Sequence, residues 1–246
     1  MLKYQKRIRG ISMTLKEEYV SFLGPGHLVY LTGFFLAFYF LMKKRKALRA
    51  HADRADKILA GIIIFQQILM YGTYIFHYDF ILSESLPFHV CRVASLVILA
   101  YLFTKKRTLY IIGTAFGFFA LLSFAYPLQV VPINHPIGLS FFISHTVNLL
   151  FGLYGRITRG YRISNRDLPA ALRAFFIYFI FAYLLNPLVD GNYFYFKEKP
   201  LVGDMPDLMY VPLCLAVSSL LITLGIKLYS SMDRHGVKES EKPRLS

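Results

Sequence analysis

The stretch ILAGIIIFQQILMYGTYIF, residues 58–76, decides the fold class of this chain. It runs for 19 residues without a charged side chain. A helix needs roughly 20 apolar residues to cross the hydrocarbon core of a bilayer, which is about 30 Å thick. The whole chain is similarly apolar, since hydrophobic residue types make up 56% of its 246 residues and the mean hydropathy is +0.47. We therefore predict an all-α, polytopic membrane helical bundle.

Seven apolar runs, separated by short polar connections, predict about seven transmembrane helices in a single domain over residues 19–230. The runs cover residues 19–42, 58–76, 82–103 or 86–103, 109–128, 136–154, 170–189 and 208–229. No long linker, low-complexity tract or internal repeat interrupts them. One domain is therefore sufficient.

The Lys and Arg residues indicate how this domain is oriented. The chain has 28 of them against 14 Asp and Glu, a formal net charge of +14. Nineteen lie after the first, third and fifth spans and at the C-terminal end, whereas seven lie on the other side. Because basic residues concentrate on the cytoplasmic side, we predict a multi-pass protein of the cell membrane with its N-terminus outside and its C-terminus in the cytoplasm. This distribution also argues against nucleic acid as a partner, because it fits membrane topology and anionic headgroups.

The two terminal segments lie outside the predicted transmembrane domain. In the basic segment 1–18, Ile8, Ile11 and Leu15 share one helix face, which indicates an amphipathic helix on the membrane surface. A solvated tail is the alternative. Residues 231–246 are expected to form a cytoplasmic tail.

The two cysteines, Cys91 and Cys214, belong to no metal-binding spacing and to no disulfide framework. Cys214 lies in the apolar run VPLCLAVSS and is interpreted as a small buried hydrophobic residue. Cys91 differs, because SLPFHVCRVASL, residues 85–96, places it between a histidine and an arginine.

Polar side chains inside transmembrane spans are costly unless they face a cavity or a partner. The predicted spans and the outer loop after the sixth span contain eight candidates: His89, Cys91, Arg92, His145, Asn148, Asn186, Asn192 and Tyr193. The third and fifth spans both enter from outside. At about 1.5 Å per residue, Cys91 and His145 then lie roughly 8–14 Å below the outer surface. The candidates gather in one layer of the membrane, which favours a functional site.

Cys91 and His145 are a candidate nucleophile and base on different helices. The thiolate is the reactive form of cysteine, and burial disfavours it, so a reactive buried cysteine needs a base or a positive neighbour. We expect His145 to be the base, while Arg92 and His89 favour the thiolate. An ester would then pass its acyl group to Cys91 as a thioester.

Five candidates are assigned to substrate binding or to the oxyanion: Arg92, Asn148, Asn186, Asn192 and Tyr193. Asn148 lies three residues after His145 and therefore shares its helix face. A lipid substrate would enter sideways from the outer leaflet. Structural roles remain the alternatives, with Arg92 pairing to a carbonyl and Asn186 capping or kinking the sixth span next to Pro187. His27 and His89 are equally open to a purely structural interpretation.

Three motifs resemble a known family. LPFHVCRVASL, residues 86–96, is similar to the LPLHLC motif of the YwaF-type bacterial membrane family, which is related to a vertebrate transmembrane acyltransferase that remodels ether phospholipids. FFISHTVNLLFGLY, residues 141–154, resembles that family's histidine-bearing helix, and NPLVDGNYFYFKEKP, residues 186–200, resembles its loop pattern. The resemblance covers roughly residues 60–215.

The resemblance implies an acyltransferase with Cys91 as the nucleophile and His145 as its partner, with His89 matching the histidine of the motif. Its substrate would be a membrane phospholipid or lyso-lipid, and no cofactor is expected. Val90 and Arg92 depart from the motif, which puts the substrate in doubt more than the chemistry. The open alternatives are a lipid or small-molecule transporter or binding protein, and a metalloenzyme with zinc on His89, Cys91 and His145. The oligomeric state is open.

Overall fold

The computed structural model describes residues 19–78, 80–199 and 201–240. These residues form ten α-helices and two short 3-10 turns, Asn165–Asp167 and Tyr193–Tyr195, and they contain no β-strand. The segment 1–18, for which an interfacial helix or a solvated tail was predicted, lies outside the described residues.

The ten helices follow one another with short connections. They are α1 Pro25–Lys43, α2 Arg45–Ala50, α3 Ala52–His77, α4 Leu82–Ser85, α5 Val90–Thr104, α6 Arg107–Gly117, α7 Phe119–Ala125, α8 Pro136–Arg159, α9 Leu168–Val189 and α10 Asp207–Ser240. Six segments are long and apolar enough to cross a membrane: α1, α3, α6 with α7, α8, α9 with the turn before it, and α10. The prediction of an all-α, polytopic helical bundle is confirmed, and α5 is a seventh, shorter apolar helix.

The third span differs most from its prediction. A helix beginning at Leu82 or Leu86 was expected, but α4 ends at Ser85 and α5 begins only at Val90. Leu86 is extended, with ψ 151°, because the ring of the following proline disfavours the helical conformation at the preceding residue. The span therefore consists of one helical turn, a non-helical segment at residues 86–89 and a helix of 15 residues. We call residues 86–89 the extended segment because the backbone is extended at Leu86 and His89, on either side of a turn.

Other helix boundaries also differ from their predictions. α1 starts at Pro25, a residue favoured at the first helical position, so the residues before it are not helical. The fourth span is interrupted at Phe118, between α6 and α7. α10 continues past residue 229, where the seventh span was expected to end, to Ser240.

Helix α8 lies at the centre of the bundle and packs against α2, α3, α5, α6 and α7. Small residues allow the closest approaches. A Cβ at Gly117 would collide with the backbone carbonyl of Asn148, and one at Gly155 would collide with the Tyr110 ring. Close backbone contact at glycines is the usual way in which membrane helices pack.

A buried ion-pair cluster joins three helices at the end of the bundle opposite to Cys91. Asp56 of α3 accepts from Lys105 and Arg159 at 2.5 Å each and from the Tyr154 hydroxyl at 2.6 Å. Asp56 is only 3% exposed. Because a buried carboxylate requires such partners, this cluster fixes the ends of α3, α5 and α8 relative to one another.

Candidate intramembrane site

Cys91 is the second residue of α5, directly after the extended segment. The first N–H groups of a helix have no carbonyl partner within the helix. His89 is the N-cap residue, but its side chain makes no capping hydrogen bond. The thiol is therefore attached to the first turn of α5, at the positive end of the helix dipole.

His145 lies near the middle of α8, and its surroundings fix the orientation of its ring. Nδ1 lies 2.8 Å from the Phe141 carbonyl oxygen, to which only an N–H can donate. The Phe141 ring stacks on the imidazole with centroids 3.8 Å apart. A hydrogen on Nδ1 makes Nε2 the basic nitrogen, and no described residue donates a hydrogen bond to Nε2.

Asn148 links the helix of His145 to the helix of Cys91. Its Nδ2 donates to the Cys91 carbonyl oxygen at 2.7 Å, and its Oδ1 accepts from the Ser95 hydroxyl at 3.0 Å. Asn148 is 1% exposed, so these contacts are shielded from lipid and water. This buried amide, paired once through its nitrogen and once through its oxygen, fixes the register of α5 against α8.

Because of the Asn148 contact, Cys91 and His145 lie at a similar depth in the bundle. Helices α5 and α8 both begin at the same end of the bundle, and His145 lies three residues, about 4.5 Å, closer to that end than Asn148. The Cys91 carbonyl points along α5 away from that end, so the thiol also lies on the His145 side of Asn148. Within the described residues, no hydrogen bond joins the Cys91 thiol directly to the His145 ring.

Arg92 stabilises the extended segment. Its Nη1 donates to the carbonyl oxygens of Glu84 at 2.6 Å and Leu86 at 2.9 Å, and its Nη2 donates to the Tyr74 hydroxyl at 2.7 Å. Tyr178 donates to the Phe88 carbonyl at 2.8 Å. Irregular backbone at membrane depth is tolerated only where its polar groups find partners in the protein. The carbonyl pairing that the sequence left open for Arg92 is therefore present.

His89 and Asn186 are both connected through Tyr193 to the loop after α9. The His89 and Tyr193 rings meet edge to face with centroids 4.8 Å apart. Asn186 Nδ2 donates to the Tyr193 carbonyl at 2.9 Å, and its Oδ1 accepts from the Tyr193 N–H at 2.8 Å. Burial raises the pKa of Tyr193 to about 12, so its hydroxyl stays protonated and donates to the Leu82 carbonyl at 3.3 Å.

Asn192 lies further out and organises the loop after α9. Its Oδ1 accepts from the backbone N–H groups of Lys197 at 2.9 Å and Glu198 at 3.0 Å. Its Nδ2 makes a long contact of 3.4 Å with the Glu198 carbonyl. The structure thus places Asn192 in the loop that covers the site, whereas Asn148 lies within the site.

Three residues of the site carried no clear signal in the sequence. Ser95 lies four residues after Cys91 in an apolar run, so only its helical spacing could have indicated that it contacts Asn148. Tyr74 and Tyr178 lie in aromatic-rich helices, where tyrosine is common. Their hydrogen bonds to Arg92 and to the Phe88 carbonyl depend on the extended segment, which the sequence did not predict.

His27 and Cys214 lie outside this cluster, and their contacts fit structural roles. His27 Nδ1 accepts from the Leu23 N–H at 3.0 Å and Nε2 contacts the Phe124 carbonyl at 2.7 Å, so both ring nitrogens are used in packing. Cys214 packs against the core from α10. Among the described residues, no group of three or more His, Cys, Asp and Glu side chains is arranged to hold a metal ion, so the zinc alternative gains no support.

These features define a polytopic helical membrane protein with a cluster of cysteine, histidine and asparagine toward one end of the bundle. The sequence model of the TMEM164 family matches residues 22–229. The chain therefore belongs to the TMEM164 family. No curated protein and no solved structure matches it.

Proposed function

We propose that this protein is an integral membrane acyltransferase that moves a fatty acyl chain between phospholipids, or onto a lyso-lipid, through a thioester on Cys91. The observation that carries the proposal is the Asn148 bridge, which links the Cys91 carbonyl to the helix of His145. The membership of the TMEM164 family supports the same assignment through the family resemblance of the LPFHVC motif. The finer placement among the YwaF-type bacterial proteins rests on that motif as well.

His145 would be the general base. Its Nδ1 hydrogen is held by the Phe141 carbonyl, which leaves the Nε2 lone pair available for a proton. The stacked Phe141 ring limits rotation of the imidazole. A base in a fixed tautomer and orientation is what an otherwise unreactive thiol requires.

The start of α5 would stabilise the negative charges of the reaction. The positive end of the helix dipole favours the Cys91 thiolate. The N–H groups of Val90 and Cys91, which have no described acceptor, and the second hydrogen of Asn148 Nδ2 are suited to donate to the oxyanion of a tetrahedral intermediate. Asn186 and Tyr193 would act by holding the outer loop against His89.

The reaction would proceed in two balanced steps. In the first, His145 Nε2 takes the thiol proton, the sulfur attacks the ester carbonyl, and the lyso-lipid alkoxide leaves with the proton from His145. In the second, His145 takes the proton of an acceptor hydroxyl, whose oxygen attacks the thioester. The sulfur leaves and recovers its proton from His145, so the enzyme returns to its starting state.

The substrate would enter sideways from the outer leaflet of the cell membrane. This follows from the proposed orientation, with the N-terminus outside and the C-terminus cytoplasmic. Arg92 retains donors on Nε and Nη2 that are free of the hydrogen bonds described above, and it would contact the lipid near its ester.

A second candidate is a lipid transporter or binding protein. The interrupted third span favours it, because transporters often bind their substrates at broken helices. Such a protein would not need the thiol of Cys91, whereas the acyltransferase would.

An acyl-transfer assay in proteoliposomes distinguishes the two candidates. The donor is a phospholipid with a labelled acyl chain and the acceptor is a lyso-lipid. We expect Cys91→Ala to abolish transfer and the matched change Cys214→Ala to leave it within about twofold of the parent. Transfer that persists in Cys91→Ala contradicts the proposed chemistry.

A further inference from the structure

A polar cavity of about 280 Å³ lies at the outer end of the bundle, outside the cluster around Cys91. It lies between the loop before α8, which contributes Gln129, and the loop after α9, which contributes most of its lining. Sites for whole drug-sized ligands are generally larger, from about 300 to 1,000 Å³. Because its lining is mostly polar and charged, the cavity is suited to a small polar group rather than to an acyl chain.

Hydrogen bonds within the loop hold the shape of this cavity. Asn192 accepts from two successive backbone N–H groups, which bends the chain so that Lys197 and Glu198 line the cavity. Lys199 donates to Asp207 at 2.5 Å and to the Met205 carbonyl at 2.6 Å. These bonds orient the lining side chains before any ligand arrives.

The charges of the lining are balanced. The lining includes two lysines, Lys197 and Lys199, and two acidic residues, Glu198 and Asp204. Lys197 makes one ion pair, with Asp190, which leaves ammonium hydrogens available for a ligand. A phosphate would be attracted by the lysines, and an ammonium group by the carboxylates, whereas a purely anionic ligand would also be repelled by the carboxylates.

Tyr195 connects the cavity to the proposed nucleophile. It lines the cavity and lies in the same 3-10 turn as Tyr193, whose ring meets that of His89, two residues before Cys91. The cavity is thus at the same end of the bundle as Cys91, where the headgroup of a lipid would lie if its ester reached the thiol.

We propose that this cavity binds the zwitterionic headgroup of the phospholipid whose acyl chain is transferred, with the phosphate on Lys197 and the headgroup ammonium on Glu198 and Asp204. The proposal rests on the proposed acyl transfer and specifies its substrate. It assigns headgroup selection to residues that lie outside the Cys91 and His145 cluster.

Lipid binding to the Cys91→Ala protein tests the proposal without requiring catalysis. The probes are phosphatidylethanolamine, phosphatidylglycerol and diacylglycerol with identical acyl chains, and retained lipid is measured by native mass spectrometry of the detergent-purified protein. We expect phosphatidylethanolamine to bind about tenfold more tightly than either other lipid. Adding Lys197→Ala should remove that preference, whereas the matched control Lys106→Ala, in the turn between α5 and α6, should retain it.

A second variant covers the case in which Lys197→Ala impairs folding. Glu198→Gln keeps the size of the side chain and removes its negative charge, so it should shift binding toward phosphatidylglycerol. Equal retention of the three lipids by Cys91→Ala, or an unchanged preference in both cavity variants, overturns the headgroup site. Failure of the proposed acyl transfer would appear differently, as a wild-type protein that selects phosphatidylethanolamine without transferring its acyl chain.

Discussion

At the scale of single residues, two histidines are buried in the described part of the chain, and their hydrogen bonds distinguish them. His27 is 2% exposed and His145 is 8% exposed, so burial alone does not distinguish a structural histidine from a catalytic one. Both nitrogens of His27 contact backbone groups. His145 uses Nδ1 in this way and leaves Nε2 without a described hydrogen-bonding partner. A histidine with one nitrogen anchored and one free is suited to proton transfer.

Replacing His145 by Ala should lower the rate of acyl transfer by about 10²–10⁴-fold, because general base catalysis typically contributes that factor. The fold should persist, since the ring makes one backbone hydrogen bond. The measurement is the initial rate in proteoliposomes, with thermal unfolding of the same sample as the control. A rate within threefold of the parent would remove His145 from the mechanism.

Replacing His27 by Ala should lower the stability of the protein and leave its rate of acyl transfer nearly unchanged. The change leaves the Leu23 N–H and the Phe124 carbonyl without their partner, at a cost of about 1–3 kcal/mol for each buried group left unpaired. Thermal unfolding in detergent should therefore occur at a lower temperature. The rate of acyl transfer per folded molecule, measured at a temperature where the variant is folded, should stay near the parental value. A stable but inactive variant would place His27 in the site.

At the scale of helices, the position of Cys91 depends on how closely α6 and α5 approach α8. Gly117 of α6 lies directly against the carbonyl of Asn148, the residue that bridges to Cys91. The contact therefore supports the position of Asn148 from a second helix.

Gly117→Ala should disturb both stability and the site, because the added methyl group must displace either α6 or the backbone of α8. Overpacking of this kind costs about 1–3 kcal/mol. Gly61→Ala is the matched control, since nothing lies within 4 Å of its added Cβ. Thermal unfolding and the transfer rate should both fall for Gly117→Ala alone. Equal behaviour of the two variants would argue against close packing of α6 on α8.

Sequence patterns predicted most of the helices but not the shape of the third span. Uninterrupted apolar length was sufficient to place α3, α8 and α9 within a few residues, because a helix is the available way to satisfy backbone groups in lipid. The extended segment 86–89 depends on partners distant in the chain, such as Tyr178, and sequence spacing does not reveal them. The same holds for the site. Its ionisable members stood out against an apolar background, whereas Ser95 and Tyr74 did not.

At the scale of the whole molecule, the site and the ion-pair cluster around Asp56 lie at opposite ends of the bundle. Cys91 lies in the first turn of α5, and Lys105, which pairs with Asp56, follows the last residue of the same helix. If the end of the bundle that holds the Asp56 cluster is cytoplasmic, the thiol of Cys91 lies in the outer leaflet.

This orientation can be measured with single cysteines introduced into a protein that carries Ala at positions 91 and 214. Leu201→Cys, at a residue 78% exposed in the loop after α9, should react with a membrane-impermeant maleimide added outside intact cells. Lys106→Cys should react only after the membrane is opened. The reverse pattern would place the site in the inner leaflet.

The most direct test of the central claim is the mass of the protein after exposure to its substrate. Wild-type protein is mixed with phospholipids of defined acyl composition, quenched in acid and analysed by intact-mass spectrometry, with peptide mapping to locate any adduct. The account predicts a mass increase equal to one acyl group on Cys91, removed by hydroxylamine and accumulating when no acceptor lyso-lipid is present. An acyl group found on Cys214 instead, or acyl transfer without any adduct on Cys91, would contradict it.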